Sequence, residues 1–316
     1  VFFNAFLSFT AIVLNIITMQ ALRKTSSLPK TLKTLLLSLA VSDLGVGLLV
    51  QPLYVAMLVM QIKQNTNSTA YSAVREARLI QGRTLVFASH FGVFALAVDR
   101  FLAIQLHLRY QELVTHKRVV AVVISVWVFS TLIPILLQGN DFKITRSVIV
   151  VVCIVTTGLL YCKIYAAVRH HTNQIHALQV QQATQNEDMA NAARLKKTSL
   201  ATFYVYFVYL VCYLPLHFCY LPLHCVFFAQ TNGKTPLLSH LRHITLTLVY
   251  LNSSLNPLIY CWKMRHIRQT VLDILRNIFA IGGEANYQYQ KLVTHKRVVA
   301  VVISFWVFSR NCLPLI

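Results

Sequence analysis

Seven apolar segments alternate with short polar stretches along the chain, and each is long enough to cross the hydrocarbon core of a bilayer. Lipid offers the backbone no hydrogen-bonding partners, so spanning segments of this length are α-helical. The pattern therefore predicts an all-α membrane protein, a seven-transmembrane helix bundle. The segments cover residues 1–22, 32–60, 76–106, 119–138, 144–169, 198–228 and 238–262.

A short amphipathic stretch at 264–279 follows the seventh segment. Apolar residues recur at helical spacing on one face and basic residues occupy the other, which predicts an eighth helix on the membrane surface. The apolar members are Ile267, Val271, Ile274, Leu275 and Ile278, and the basic members are Arg265, Arg268 and Arg276.

These segments divide the chain into a helical domain at 1–279 and a tail at 280–316. The chain starts at Val1 inside an apolar run, so we expect the N-terminus of the domain to be truncated. In the tail, residues 289–309 nearly copy residues 110–130. The apolar run of the copy is too short to span. It is either an interfacial helix or the product of a tandem duplication or gene-assembly join.

Composition and charge support a membrane protein. Hydrophobic residues make up 56% of the chain and charged residues 12%, about half the charged fraction of soluble domains. Disorder and an ordinary cytosolic enzyme are thereby disfavoured, and no nucleophile–base pair or metal-ligand set indicates an enzyme. The net charge of +20 fits basic loops on an anionic bilayer better than nucleic-acid binding.

The basic residues also predict orientation. With the N-terminus outside, 17 Lys and Arg residues face the cytoplasm and 8 face outward, as the positive-inside rule requires. Asn67 then begins a glycosylation sequon in the first outer loop. We expect a multi-pass plasma-membrane protein with an extracellular N-terminus.

Polar residues inside the spans are costly and indicate function. Asp43 shares its depth with several neutral oxygen donors, which together form either a sodium site or a network of hydrogen bonds that fixes helix packing. We expect no cofactor apart from such a structural sodium ion. The set is Asn15, Asp43, Ser89, Asn252, Ser253 and Asn256.

Two further features indicate a conformational switch. Asp99 and Arg100 are adjacent at the inner end of the third segment, where Arg100 can pair or extend to water. Pro215 and Pro257 break the sixth and seventh helices and make hinges. Tyr260, in Asn256-Pro257-Leu258-Ile259-Tyr260, can then move between partners.

The ordered motifs resemble those of rhodopsin-like (class A) G-protein-coupled receptors: Asn15, SLAVSD, VDRFLAI, Trp127, CYLP and NPLIY. The resemblance covers about residues 1–279. It implies an outer ligand pocket, an inner cavity for a heterotrimeric G protein, and a sodium pocket around Asp43. By the same resemblance Arg100 contacts the G protein, Tyr161 meets Arg100 and Tyr260 in active receptors, and Tyr213 occupies the toggle position.

The resemblance limits the ligand without identifying it. Gly82 stands where monoamine receptors carry an aspartate, and Tyr250 stands where opsins carry the retinal lysine. RYQELVTHKR and RHIRQTVLDIL resemble adenosine receptors, whereas the short second outer loop without cysteine resembles melanocortin receptors. We predict an outer pocket in which Arg83 binds an anionic ligand group, or else extends to the surface or pairs with Glu76. The proposed pocket residues are Arg83, Val86, Tyr213, His217, Tyr220 and Tyr250.

Two other classes remain. A transporter or channel would carry inverted repeats or discontinuous helices, and the one visible repeat is the copy at 289–309. A non-signalling product of a duplicated receptor gene would fit the start of the chain and its tail. A solute-transport assay and a G-protein coupling assay separate these classes.

Overall fold

The structure, a computed structural model, describes residues 1–106, 109–136, 139–179, 186–220 and 236–281. The near-copy at 289–309, most of the predicted tail and the end of the sixth predicted segment lie outside this part of the chain.

The described chain is helical, and its elements follow the predicted segments closely. In chain order they are α1 (Phe2–Lys24), α2 (Lys30–Gly45), a π-helical turn (Val46–Val50), α3 (Gln51–Ile62), α4 (Thr69–Gln105), α5 (Tyr110–Leu113), α6 (His116–Leu136), α7 (Gly139–Gln179), α8 (Asn186–Tyr220), α9 (Pro236–Lys263) and α10 (Arg265–Ile281).

Helix α4 is the centre of the bundle. It packs against α2, α3, α6, α7 and α8, and a larger share of its residues is buried than in the other candidate spans. Helix α9 packs between α8 and α1, and α1 packs against α2. Side chains from α1, α2, α4, α8 and α9 therefore meet in one interior.

Six stretches of the described chain are long and apolar enough to cross a membrane, and they match the first six predicted segments. The seventh, α9, is 28 residues long but carries more polar side chains. Asn252, Ser253 and Asn256 are nevertheless buried, because α9 turns its polar face toward the other helices rather than toward lipid.

Helices α7 and α8 extend beyond the predicted spans. Helix α7 begins at Gly139 and continues to Gln179, and α8 begins at Asn186. The polar 170–197 segment between the fifth and sixth predicted spans is thus helical at both ends, while residues 180–185 lie outside the described chain. Because α6 ends at Leu136, hardly any chain is left for a second outer loop.

The amphipathic eighth helix is α10. Ile267, Val271 and Ile274 are buried against α1 and α9, whereas Arg265 and Arg276 are exposed. Near the outer face, Ser68 caps α4 by accepting a 3.1 Å hydrogen bond from the Tyr71 amide. Asn67 is exposed just before that cap, so the predicted sequon is accessible.

Candidate functional site

The six polar residues predicted around Asp43 are buried together in the bundle interior, each at most 1% exposed. We call them the midplane polar cluster: Asn15, Asp43, Ser89, Asn252, Ser253 and Asn256. Asn256 Nδ2 donates a 2.8 Å hydrogen bond to Asp43 Oδ2. Asn15 Nδ2 donates to the carbonyl of Ser253 over 2.9 Å. These bonds join α1, α2 and α9.

Four buried oxygen atoms of this cluster have no hydrogen-bond partner among the residues that the structure describes. They are Oδ1 of Asn15, Asp43, Asn252 and Asn256. Amide oxygens and an ionised carboxylate only accept hydrogen bonds, so with Asp43 ionised the four atoms cannot satisfy one another. Carboxylate and amide oxygens are the ligands that hard cations prefer, and the residues therefore fit a small hard cation such as sodium. Ser89 lies at the edge of the set, with its hydroxyl 3.3 Å from that of Ser42.

A second cluster, the inner lock, joins α4 to α5 and α2. Arg100 Nε donates a 2.9 Å hydrogen bond to Asp99 Oδ2, and a terminal guanidinium nitrogen contacts the same oxygen. Tyr110 donates to Asp99 Oδ1 over 2.6 Å, and its hydroxyl lies 3.0 Å from that of Thr31. Since the Tyr110 proton points at Asp99, Thr31 is the donor in that second bond.

Of the two alternatives that the sequence left for Arg100, the structure shows the pair with Asp99 and not a side chain that extends to water. The Arg100 side chain is 2% exposed, and that of Asp99 is 4% exposed. The reason is the inner loop, because α5 places Tyr110 over the carboxylate. Burial, followed by the negative charge of Asp99, raises the pKa of the Tyr110 hydroxyl to about 12. Tyr110 therefore stays protonated, and remains a donor, at physiological pH.

The switch tyrosines lie close to the inner lock without belonging to it. Tyr161 on α7 and Tyr260 on α9 are both buried, and neither hydroxyl has a hydrogen-bond partner. Pro257 lies within α9, one turn before Tyr260, and Pro215 lies within α8. Both prolines lie within helices, where the hinge hypothesis requires them.

His90 is the main residue that sequence reasoning missed. It lies buried on α4, and its ring makes edge contacts with Tyr213 at 4.8 Å, Tyr209 at 5.1 Å and His217 at 5.9 Å between centroids. His90 Nδ1 lies 2.6 Å from the Val86 carbonyl. A histidine inside an apolar span was the available signal. Tyr213 is the predicted toggle, and both Tyr213 and His217 are predicted pocket residues. Their contacts with His90 join them in one group between α4 and α8.

At the outer end, Tyr250 is buried and contacts the ring of Tyr54 at 5.2 Å, while Arg83 is half-buried. The alternative that Arg83 pairs with Glu76 is not found, because Glu76 pairs with Arg75 over 3.3 Å. Tyr220 is the last residue of α8, and its side chain lies outside the described part of the chain. Sequence reasoning also missed Tyr54, whose hydroxyl lies 2.7 Å from His243 Nδ1.

Comparison with known proteins agrees with this geometry. The model of the family described as 7 transmembrane receptor (rhodopsin family) matches residues 14–143 and 138–260. The chain is 26% identical to sheep (Ovis aries) adenosine receptor A3, over 84% of this chain and 86% of that protein. It is 26% identical to human adenosine receptor A2a, over 84% and 69%. It is 25% identical to zebrafish (Danio rerio) melanocortin receptor 4, over 85% and 81%. The chain belongs to the rhodopsin family of seven-transmembrane receptors.

Proposed function

We propose that this receptor binds an extracellular ligand between the outer ends of α3, α4, α8 and α9, and that it activates a heterotrimeric G protein at the inner end of the bundle. It does so in the plasma membrane, with its N-terminus outside. The observation that carries the proposal is the buried ion pair of Asp99 and Arg100, closed by Tyr110. A buried charge pair is costly unless it is well bonded, so it is suited to a contact that is made in one state and released in another.

Release of Arg100 needs new partners for its guanidinium. Tyr161 and Tyr260 supply two buried hydroxyls that make no other hydrogen bond. Movement of α9 about Pro257 would bring the Tyr260 hydroxyl toward Arg100. Movement of α8 about Pro215 would open space for the guanidinium to approach the Tyr161 hydroxyl on α7. The G protein then gains access to the inner cavity that the guanidinium has vacated.

A sodium ion in the midplane polar cluster would favour the resting state. Asp43 would supply the charge, and Asn15, Asn252 and Asn256 would supply neutral oxygens. The support is the four partnerless oxygen atoms. Such an ion would tie α1 and α2 to α9 and so oppose movement about Pro257.

The test of the proposed function is nucleotide exchange on purified G proteins by receptor in membranes. We expect wild-type exchange above that of receptor-free membranes, and we expect Arg100→Ala to abolish it. Arg109→Ala is the matched control, because Arg109 is an exposed arginine of the same inner loop. Because Arg100 is buried, surface expression is measured alongside exchange. Wild-type exchange no higher than that of receptor-free membranes would overturn the proposed function, and normal exchange by Arg100→Ala at equal surface expression would overturn the role of Arg100.

A further inference from the structure

We propose that the outer pocket binds an amphipathic anion, and that Arg78 holds its phosphate or carboxylate group. This inference rests on the proposed function, because it names the chemistry of the ligand for the same outer pocket. The residue is distinct from Arg83, the cation that the sequence suggested.

Arg78 is held by aromatic residues rather than by an acid. Its guanidinium carbon lies 5.6 Å from the centre of the Tyr54 ring. One terminal nitrogen donates to the Tyr250 hydroxyl at 3.5 Å, the outer limit of a hydrogen bond. Its Nε is buried and has no hydrogen-bond partner. A guanidinium has five N–H donors in a planar fork, so most of its capacity is available to a ligand.

Among the side chains that the structure describes at the outer end of the bundle, basic residues outnumber acidic ones. Glu76 is the one acidic side chain that the structure describes there, and it is exposed and paired with Arg75. Meanwhile Arg242 and Arg78 both lie near His243 and Tyr54, so two positive charges share this end of the bundle. A partly buried cation without a counter-ion is unfavourable, and a bound anion removes that cost.

Gln51 adds neutral hydrogen-bonding groups one turn along α3 from Tyr54, the residue whose ring Arg78 contacts. It is fully buried, and neither its Oε1 nor its Nε2 has a partner. It lies one turn before Tyr54 on α3, directly after the π-helical turn, so the two side chains share a helix face. A buried amide with both polar atoms unsatisfied is rare in folded proteins, and a ligand oxygen or hydroxyl would satisfy it.

Apolar side chains pack around Tyr54 and Tyr250. Val46, Val50, Met57 and Leu85 form one buried cluster with Tyr54 and Tyr250. A simple inorganic ion has no apolar surface to bury against these side chains. A ligand with an apolar body would gain about 25 cal/mol of binding free energy per Å² of apolar area buried. The structure therefore favours an anionic head joined to an apolar tail or ring over a simple inorganic ion.

The test uses purified receptor in nanodiscs of phosphatidylcholine, whose unfolding temperature is followed with a thiol-reactive dye. The probes are monododecyl phosphate, dodecanoate, inorganic phosphate and dodecyltrimethylammonium. We expect the two amphipathic anions to raise the unfolding temperature and the cationic amphiphile to leave it unchanged. An equal rise with inorganic phosphate alone would overturn the amphipathic part of the proposal. No rise with any anion would overturn all of it.

Variants then assign the site. Arg78→Gln should weaken the half-maximal response to monododecyl phosphate about ten-fold or more, because a charge-assisted contact is lost. Arg75→Gln, an exposed arginine one turn away, should respond as wild type does. If Arg78→Gln fails to fold, Gln51→Leu replaces it and should weaken the response with the charge intact. An undiminished response in Arg78→Gln, or in Gln51→Leu where Arg78→Gln does not fold, would overturn the site.

Ligand-free nucleotide exchange by the wild-type receptor separates this inference from the proposed function. Exchange without any anion response would overturn the inference and leave the receptor function standing. An anion response without exchange would overturn the receptor function and leave the anion site standing.

Discussion

The Tyr110 hydroxyl donates a 2.6 Å hydrogen bond to Asp99 Oδ1, so a residue of the inner loop holds the carboxylate that holds Arg100. In the switch that we propose, this bond would make the loop part of the resting state. It also explains how Asp99 and Arg100 are buried although they lie near the membrane–water interface.

Tyr110→Phe removes this hydrogen bond without changing the ring. We expect ligand-independent nucleotide exchange to rise about two- to twelve-fold, because a hydrogen bond of roughly 0.5–1.5 kcal/mol no longer favours the closed lock. Exchange is measured at matched surface expression. Glu112→Gln, which alters an exposed residue of the same short helix, serves as the control. Unchanged exchange in Tyr110→Phe would show that the loop does not restrain Arg100.

Asp43→Asn should abolish any effect of sodium on basal exchange. The change keeps the size of the side chain but removes the one negative charge of the midplane polar cluster. We expect exchange by the wild type to fall when sodium chloride replaces choline chloride at equal ionic strength. Asp273→Asn makes the same charge change at an exposed site on α10 and should retain the sodium effect. Equal sodium sensitivity in Asp43→Asn would place the ion elsewhere.

Asn15→Ala should lower stability, since Asn15 bonds both its own helix and the Ser253 carbonyl of α9. Loss of these buried bonds costs about 1–3 kcal/mol. The expected result is a fall of several degrees in the unfolding temperature of detergent-solubilised receptor. Ser125→Ala removes a within-helix bond on an exposed face and should have a much smaller effect. A fall of equal size in both variants would argue against a special role for Asn15.

Gly158→Ala should disturb the contact of α7 with α8. A Cβ atom at Gly158 would lie 2.9 Å from the Tyr206 hydroxyl, which donates a 2.9 Å hydrogen bond to the Ile154 carbonyl. The tyrosine must move and lose that bond, at a cost of about 1–3 kcal/mol. Gly82→Ala is the control, because its Cβ would meet Val50 at an ordinary 3.5 Å.

The double variant Gly158→Ala with Tyr206→Phe tests the cause of that loss. Removal of the hydroxyl relieves the close contact, so the double variant should be more stable than Gly158→Ala. An equal or lower unfolding temperature would show that the glycine is required for another reason.

The sequence by itself predicted the spans, the amphipathic α10 and the residues of the midplane polar cluster. Each depends on information that is local to one helix. Length and apolarity set a span, and depth along a helix follows from counting residues at 1.5 Å each. Polar residues at similar depths in several spans therefore had to turn inward, because lipid cannot satisfy them.

Only the tertiary structure decided which side chains meet across helices and loops. No periodicity places Tyr110 of α5 over Asp99, so the burial of Arg100 could not be predicted. The rotation of α3 after the π-helical turn brings Gln51 and Tyr54 inward, and the position of α4 relative to it brings Arg78 onto Tyr54. A sequence sets the face and depth of a residue on its own helix, but the identity of its neighbours depends on how separate helices rotate and pack together.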